Sequence, residues 1–218
     1  MKKLFIIFFV ISSIGLSAQN DPQAKAILDQ VSAKTKAYKT ISTNFTINST
    51  NTQNGEKTSQ KGSLLLKGDK YVVKLPGSEI YFDGKDVYNY LPESKEVNIT
   101  KPDASQKSDD LVLSNPKDIF KIYQKDFKYK FIKESTVAGK SINEVDLYPI
   151  DLKKKFSRIR MQIDKTSSQI ISLTALYKDG MQFTVNFDKF EVNKDLPDSL
   201  FIFDTAIHSD TEVIDLRF

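Results

Sequence analysis

The chain has 218 residues, a formal charge of +4, a single His and no Cys. The missing Cys excludes a disulfide framework, thiolate metal sites and a Cys nucleophile, so stability must come from a packed core. Only Arg158, Arg160 and Arg217 are arginines among 32 cationic residues, and no clustered basic patch with interleaved aromatics is visible, which argues against nucleic acid as a partner.

Met1-Lys2-Lys3, the uncharged run Leu4 to Leu16 and then Ser17-Ala18-Gln19 read as a charged n-region, an apolar h-region and a cleavage zone. The apolar run falls short of the roughly 20 residues a spanning helix needs. Residues 1–19 are therefore expected to be a signal peptide, and residues 20–218 a single exported, soluble domain. Asp21-Pro22 offers a helix start, and Ile27, Leu28 and Val31 follow at helical spacing, which predicts an amphipathic helix to about Ala37.

Strand patterns then take over. Ser42 to Thr50 alternates through Phe45 and Ile47, and Asn51 to Lys61 reads as a polar loop or hairpin tip. Gly62 to Lys67, Lys70 to Leu75, Ser78 to Asp83 and Asp86 to Leu91 form a succession of strands joined by Gly68-Asp69, Pro76-Gly77 and Asp83-Gly84. Turns that short force antiparallel neighbours. Glu96 to Thr100 adds one more strand.

Between Pro102 and Lys125 the pattern becomes helical. Ser108-Asp109-Asp110 can cap a short helix carrying Leu111 and Leu113, and Asn115-Pro116 can start a second with Ile119, Phe120 and Tyr123 on one face. Strands resume at Phe127 to Ile132, Ile142 to Pro149, Arg158 to Asp164, Ile170 to Tyr177 and Gln182 to Phe187, and a closing element follows near Phe203. The expected fold is mainly β with helices: a meander curled into an incomplete antiparallel barrel, since curling shortens exposed edges.

No enzyme constellation can be assembled. His208 has Asp204, Asp210 and Glu212 near it in sequence but lacks the several-His spacing of catalytic zinc, and reads as a surface residue in a polar tail. There is no Gly-x-Ser-x-Gly elbow, and the eight glycines fall singly at turns, so no phosphate-cradling loop exists. Asp109-Asp110 suits helix capping better than acid/base work. Lys153-Lys154-Lys155 reads as a solvated turn, with docking to a membrane or an acidic partner as the rival. No cofactor and no metal are expected.

The order of four segments carries a resemblance: Gly62-Ser-Leu-Leu-Leu-Lys67, Tyr71-Val-Val-Lys-Leu75, Tyr81-Phe-Asp-Gly-Lys-Asp-Val-Tyr-Asn-Tyr-Leu-Pro92 and Glu96-Val97. With Asn115-Pro116-Lys117-Asp118-Ile119-Phe120 and the Phe201-Ile-Phe203 ending, it resembles the periplasmic outer-membrane lipoprotein carrier family, the LolA-like proteins. The resemblance implies a half-barrel with helices as a lid over a hydrophobic cavity, acting as a periplasmic chaperone for the acyl chains of lipoproteins. It implies a monomer that takes cargo from an inner-membrane ABC-type transporter and passes it to an outer-membrane receptor. A carrier of another amphiphile, such as a glycolipid or fatty acid, and an envelope-stress sensor of the same fold are the alternatives.

Alternation then assigns one face of the sheet to the ligand. Leu64, Leu66, Tyr71, Val73, Leu75, Ile80 and Phe82 would line it in the first half, with Phe45 and Ile47 beside them. Ile159, Met161, Ile163, Phe183 and Val185 would continue it, and Leu111, Leu113, Ile119, Phe120 and Tyr123 would belong to the lid. Family members carry an Arg directly after the second strand's Lys, where it latches the lid; here Gly68-Asp69 follow Lys67.

Overall fold

The computed structural model describes residues 21–102, 116, 119, 123 and 126–217. Residues 1–19, expected to be a signal peptide, and Leu111, Leu113 and Phe120, expected in the lid, lie outside that set. Helix α1 (Pro22–Lys36) begins where Asp21 caps it, its Oδ1 accepting from the N–H groups of Gln23 and Ala24 at 2.9 and 3.2 Å. Pro22 fills the first helical position, and Lys34 and Lys36 complement the dipole in the last turn.

Among the described residues twelve strands form one unclosed sheet in the order β12-β6-β5-β4-β3-β2-β1-β11-β10-β9-β8-β7. They are β1 (Thr40–Asn51), β2 (Lys57–Lys67), β3 (Lys70–Leu75), β4 (Ser78–Phe82), β5 (Val87–Leu91) and β6 (Glu96–Thr100). The second series is β7 (Phe127–Val137), β8 (Lys140–Pro149), β9 (Phe156–Asp164), β10 (Ile170–Tyr177), β11 (Met181–Val192) and β12 (Glu212–Asp215). The predicted strands are all present, most of them longer than their apolar cores. The expected loop at Asn51 to Lys61 is a hairpin tip, since β2 starts at Lys57 and pairs with β1 from Thr50 onward.

The topology departs from a single meander. Two meanders, β1 to β6 and β7 to β11, are joined where β1 pairs antiparallel with β11, in the register Phe45 opposite Phe187 and Ile47 opposite Val185. Both strands are long and apolar on the same side, so their pairing removes two edges at once. β6 and β7, consecutive in the chain, lie in opposite flanks of the sheet.

The sheet buries apolar side chains on both faces. On the concave face Ala24, Leu28 and Val31 of α1 pack with Ile41, Phe45, Leu66, Met161 and others in one cluster. On the convex face a second cluster joins Val72, Tyr81, Tyr90 and Val97 to Phe201 and Phe203. Tyr71, Val72 and Val73 are consecutive and all buried, because β3 is covered on both sides. In β5 and β6 the concave side turns polar, with Asn89 opposite Asn98. Ser78 Oγ donates to Asn89 Oδ1 at 3.0 Å, and Asn98 Nδ2 donates to Glu96 at 2.7 Å.

The chain's last segment supplies the convex cover. A 3-10 turn (Asp198–Phe201) follows Leu196-Pro197, and β12 then pairs in parallel with β6. Asp198 is held by Lys67 and Lys70, each at 2.7 Å, and these two lysines keep its carboxyl at about 2, well below its ordinary value. That tie is present above the ordinary carboxylate pKa and is lost only as pH falls toward 2. His208 is not a residue of a free polar tail: its ring stacks on Phe203 at 4.8 Å and lies 4.7 Å from Tyr90.

A buried charge cluster stiffens the convex face of the second meander. Asp146 is 0% exposed and accepts from Arg160 Nε at 2.7 Å and Nη2 at 2.9 Å, and from Arg158 Nη1 at 3.2 Å. Tyr148 adds its hydroxyl at 3.2 Å.

Gly62 is where β2 meets its neighbours most closely. A Cβ there would lie 2.5 Å from Cζ of Phe45 and 2.7 Å from the backbone oxygen of Lys74. The phenyl ring could move, but the carbonyl could not. Gly62→Ala is expected to lower stability by about 1–3 kcal/mol through overpacking, read as a fall in the urea midpoint at constant slope.

Candidate functional site

The concave face is built from cross-strand rows. One runs Phe131, Val145, Met161, Leu173, Val185, Ile47 from β7 to β1, each opposite the next. A second runs Tyr129, Leu147, Ile159, Ala175, Phe183. In the first meander Phe82, Tyr71, Leu66 and Ile41 form a third, and Ile80, Val73 and Leu64 a fourth. Antiparallel pairing carries each apolar residue onto the same face as its partner, so one register choice aligns them all.

The residues read from alternation therefore come together. Phe45, Leu64, Leu66, Tyr71, Val73, Ile159, Met161, Ile163 and Val185 are buried in the concave cluster, and Ile47, Leu75, Ile80 and Phe82 pack against it. Phe183 sits at the rim. Its ring makes an edge contact with Tyr177 at 5.2 Å, Tyr177 meets Phe156 at 6.1 Å, and Phe156 stacks on Phe127 at 6.1 Å. Val145, Leu147, Leu173 and Ala175 complete the face; the sequence reading misses them, although β8 and β10 show the same alternation. Burial pushes the Tyr71 hydroxyl above its ordinary pKa.

What lies over this face comes from α1 and from Ile119 and Tyr123. Ala24, Leu28 and Val31 recur at helical spacing and point into the sheet, and Ile119 and Tyr123 are buried in the same cluster. Side-chain polar ties hold the cover. Asp21 Oδ2 accepts the Phe131 N–H at 3.0 Å, so one carboxylate caps α1 and also anchors it to β7. Burial raises the Asp21 pKa, but the N–H groups of Ala24, Phe131 and Gln23 outweigh it and hold the carboxyl below its ordinary value. Tyr123 donates its hydroxyl to Asp29 at 3.1 Å, and Asp29 also pairs with Lys25 at 2.5 Å.

The cover is incomplete at one end. A cleft of about 320 Å³ opens between the end of α1 and the β2–β3 turn, lined by Ser32, Lys36, Tyr38, Ile41, Leu66 and Gly68 among others. That volume is at the low end for ligand pockets. Gly68 has a φ of +56° and nothing within 4 Å of where a Cβ would stand. At the family's latch position, then, the turn meets open space, and its flanking lysines are tied to Asp198 on the opposite face instead. Among the described residues no group of His, Cys, Asp and Glu could hold a metal, and no helix is long and apolar enough to cross a membrane.

A structure of an uncharacterised conserved protein from Thermus thermophilus matches with a TM-score of 0.60 at 12% identity, over 88% of this chain and 99% of that one. The Mycobacterium tuberculosis lipoprotein LppX matches with a TM-score of 0.48 at 12% identity, over 81% and 98%. The Pseudomonas aeruginosa MucA/MucB complex matches at 0.40 and 13%, over 84% and 62%. At such identities the Thermus structure establishes a shared fold alone. No curated protein matches. The family model described as outer membrane lipoprotein carrier protein LolA matches residues 36–204, which span β1 through β11 and the convex segment; the chain belongs to that family.

Proposed function

We propose that the protein is a periplasmic carrier that shelters the acyl chains of lipoproteins and moves them from the inner to the outer membrane. The observation that carries this reading is the continuous apolar concave face, covered among the described residues by α1, Ile119 and Tyr123 rather than by a second sheet. A second sheet would make a permanent core. A helix tied by Asp21 and Asp29 can lift away.

Loading on this reading is an exchange. Acyl chains gain about 0.8 kcal/mol per buried methylene, and they must displace Leu28, Val31, Ile119 and Tyr123 from the same surface. The filled apo face therefore lowers net affinity, which suits a protein that must also release. An ABC-type transporter in the inner membrane would supply the cargo, and an outer-membrane receptor would accept it.

Mass spectrometry of material co-purified with the protein from the periplasm tests the reading. Intact acylated lipoproteins are the expected result. Recovery of free fatty acid or glycolipid alone would overturn the lipoprotein assignment in favour of a different amphiphile.

A further inference from the structure

The β8–β9 turn projects the most exposed large apolar side chain among the described residues: Leu152 is 80% exposed, and Ile150 two positions before it is 58% exposed. Exposed leucines in a frayed loop would mean little, but this turn is built. Ile150 N–H donates to the Asp126 carbonyl at 2.8 Å, and Lys154 N–H to the Asp151 carbonyl at 3.2 Å. Asp151 Oδ1 accepts the Lys153 N–H at 2.9 Å. Lys178 of the neighbouring β10–β11 turn donates its ammonium to the Leu152 carbonyl and its N–H to the Lys155 carbonyl. The backbone on both sides of Leu152 is thus pinned while its side chain is held in water.

The charge around it has one dominant sign. Lys153, Lys154 and Lys155 follow the leucine in its own turn and Lys178 bonds its carbonyl from the next, against Asp151 and Asp179 in the two turns. Exposed apolar side chains in a turn rich in lysine suit a surface that is anionic outside and apolar beneath. An acidic protein would satisfy the lysines but would leave Leu152 without a reason to be exposed. Position agrees with the bilayer. Phe156 follows Lys155 directly and belongs to the aromatic rim Phe127, Phe156, Tyr177 and Phe183, so the turn stands beside one mouth of the concave face.

We propose that the β8–β9 turn is a membrane-docking point, with Leu152 and Ile150 entering the acyl region of an anionic bilayer and the four lysines resting on its headgroups. Docking of this kind needs only a lipid surface and stands whether or not the cargo is a lipoprotein. Docked this way, the aromatic rim faces the membrane.

Flotation of the mature protein with vesicles tests it. Vesicles of phosphatidylcholine mixed with phosphatidylglycerol are expected to retain the protein, and vesicles of phosphatidylcholine alone are not. Leu152→Asp is expected to weaken retention about tenfold, as is raising the salt enough to shrink the screening length to a few ångströms. Ile207→Asp, at a side chain 77% exposed in the C-terminal segment, serves as the control and should bind as the parent does. Melting curves of Leu152→Asp should match the parent, since the side chain touches little. The proposal is overturned if anionic vesicles fail to retain the parent chain, or if Leu152→Asp is retained equally well. Failure to bind vesicles together with salt-sensitive binding to polyglutamate would overturn it in favour of an acidic protein partner. None of these outcomes bears on the carrier reading, because the vesicles contain no lipoprotein.

Discussion

Leu28→Ala is expected to lower the stability of the protein by about 2–5 kcal/mol while raising its uptake of an apolar probe. Leu28 is fully buried at the centre of α1, flanked one turn away by Ala24 and Val31, and packs on the concave face. Removing its methyl groups leaves space against a surface that is apolar on every side, and such space stays dry. The same change weakens the hold of the helix on the sheet. A covered site therefore becomes easier to open, and an environment-sensitive fatty-acid analogue should bind several-fold more tightly. If denaturant titration shows the lost stability but probe affinity does not change, α1 is an ordinary core helix and not a cover.

Asp146→Ala is expected to lower stability by about 3 kcal/mol without changing probe affinity. The carboxylate is wholly buried and receives hydrogen bonds from Arg158, Arg160 and Tyr148, and it holds the Arg160 guanidinium above its ordinary pKa. Its loss leaves the neighbouring Arg158 and Arg160 guanidinium groups on one face of β9 with only Glu144, 3.8 Å from Arg160, as a buried anion beside them. Because both arginines are about a third exposed, water recovers part of the loss, which places the effect at the lower end for a broken buried pair. Double-mutant cycles with Arg160→Met should recover much of the deficit, since the lone charge is then removed as well. Equal effects of Asp146→Ala in the parent and in the Arg160→Met background would show that the pair contributes nothing.

Most of the sheet was legible because its strands alternate and its turns carry Gly or Asp at fixed places. Lys70 to Leu75, Glu96 to Thr100 and Ile170 to Tyr177 match the structure residue for residue. The concave register was equally readable, since a one-residue slip in β9 would have buried Arg160 and exposed Met161. Pairings across great separations were not legible. Nothing local in Ile41 to Thr50 says that its second neighbour is β11, and Glu212-Val-Ile-Asp215 is too short and too charged to announce a strand. The convex cluster was missed for a related reason. Tyr88, Tyr90 and Val97 alternate as clearly as Tyr71 and Val73, but alternation gives a face without saying what covers it.

The convex cover also orders events in time. Val72, Tyr81, Tyr90 and Val97 leave the ribosome more than a hundred residues before Phe201 and Phe203. Until then these side chains have only one another, Leu65 and Tyr88 on their own side of the sheet, so β3 to β6 cannot reach their final burial before Phe201 and Phe203 are made. A nascent molecule held short of completion in this manner waits for Phe201 and Phe203, whose arrival completes the cluster.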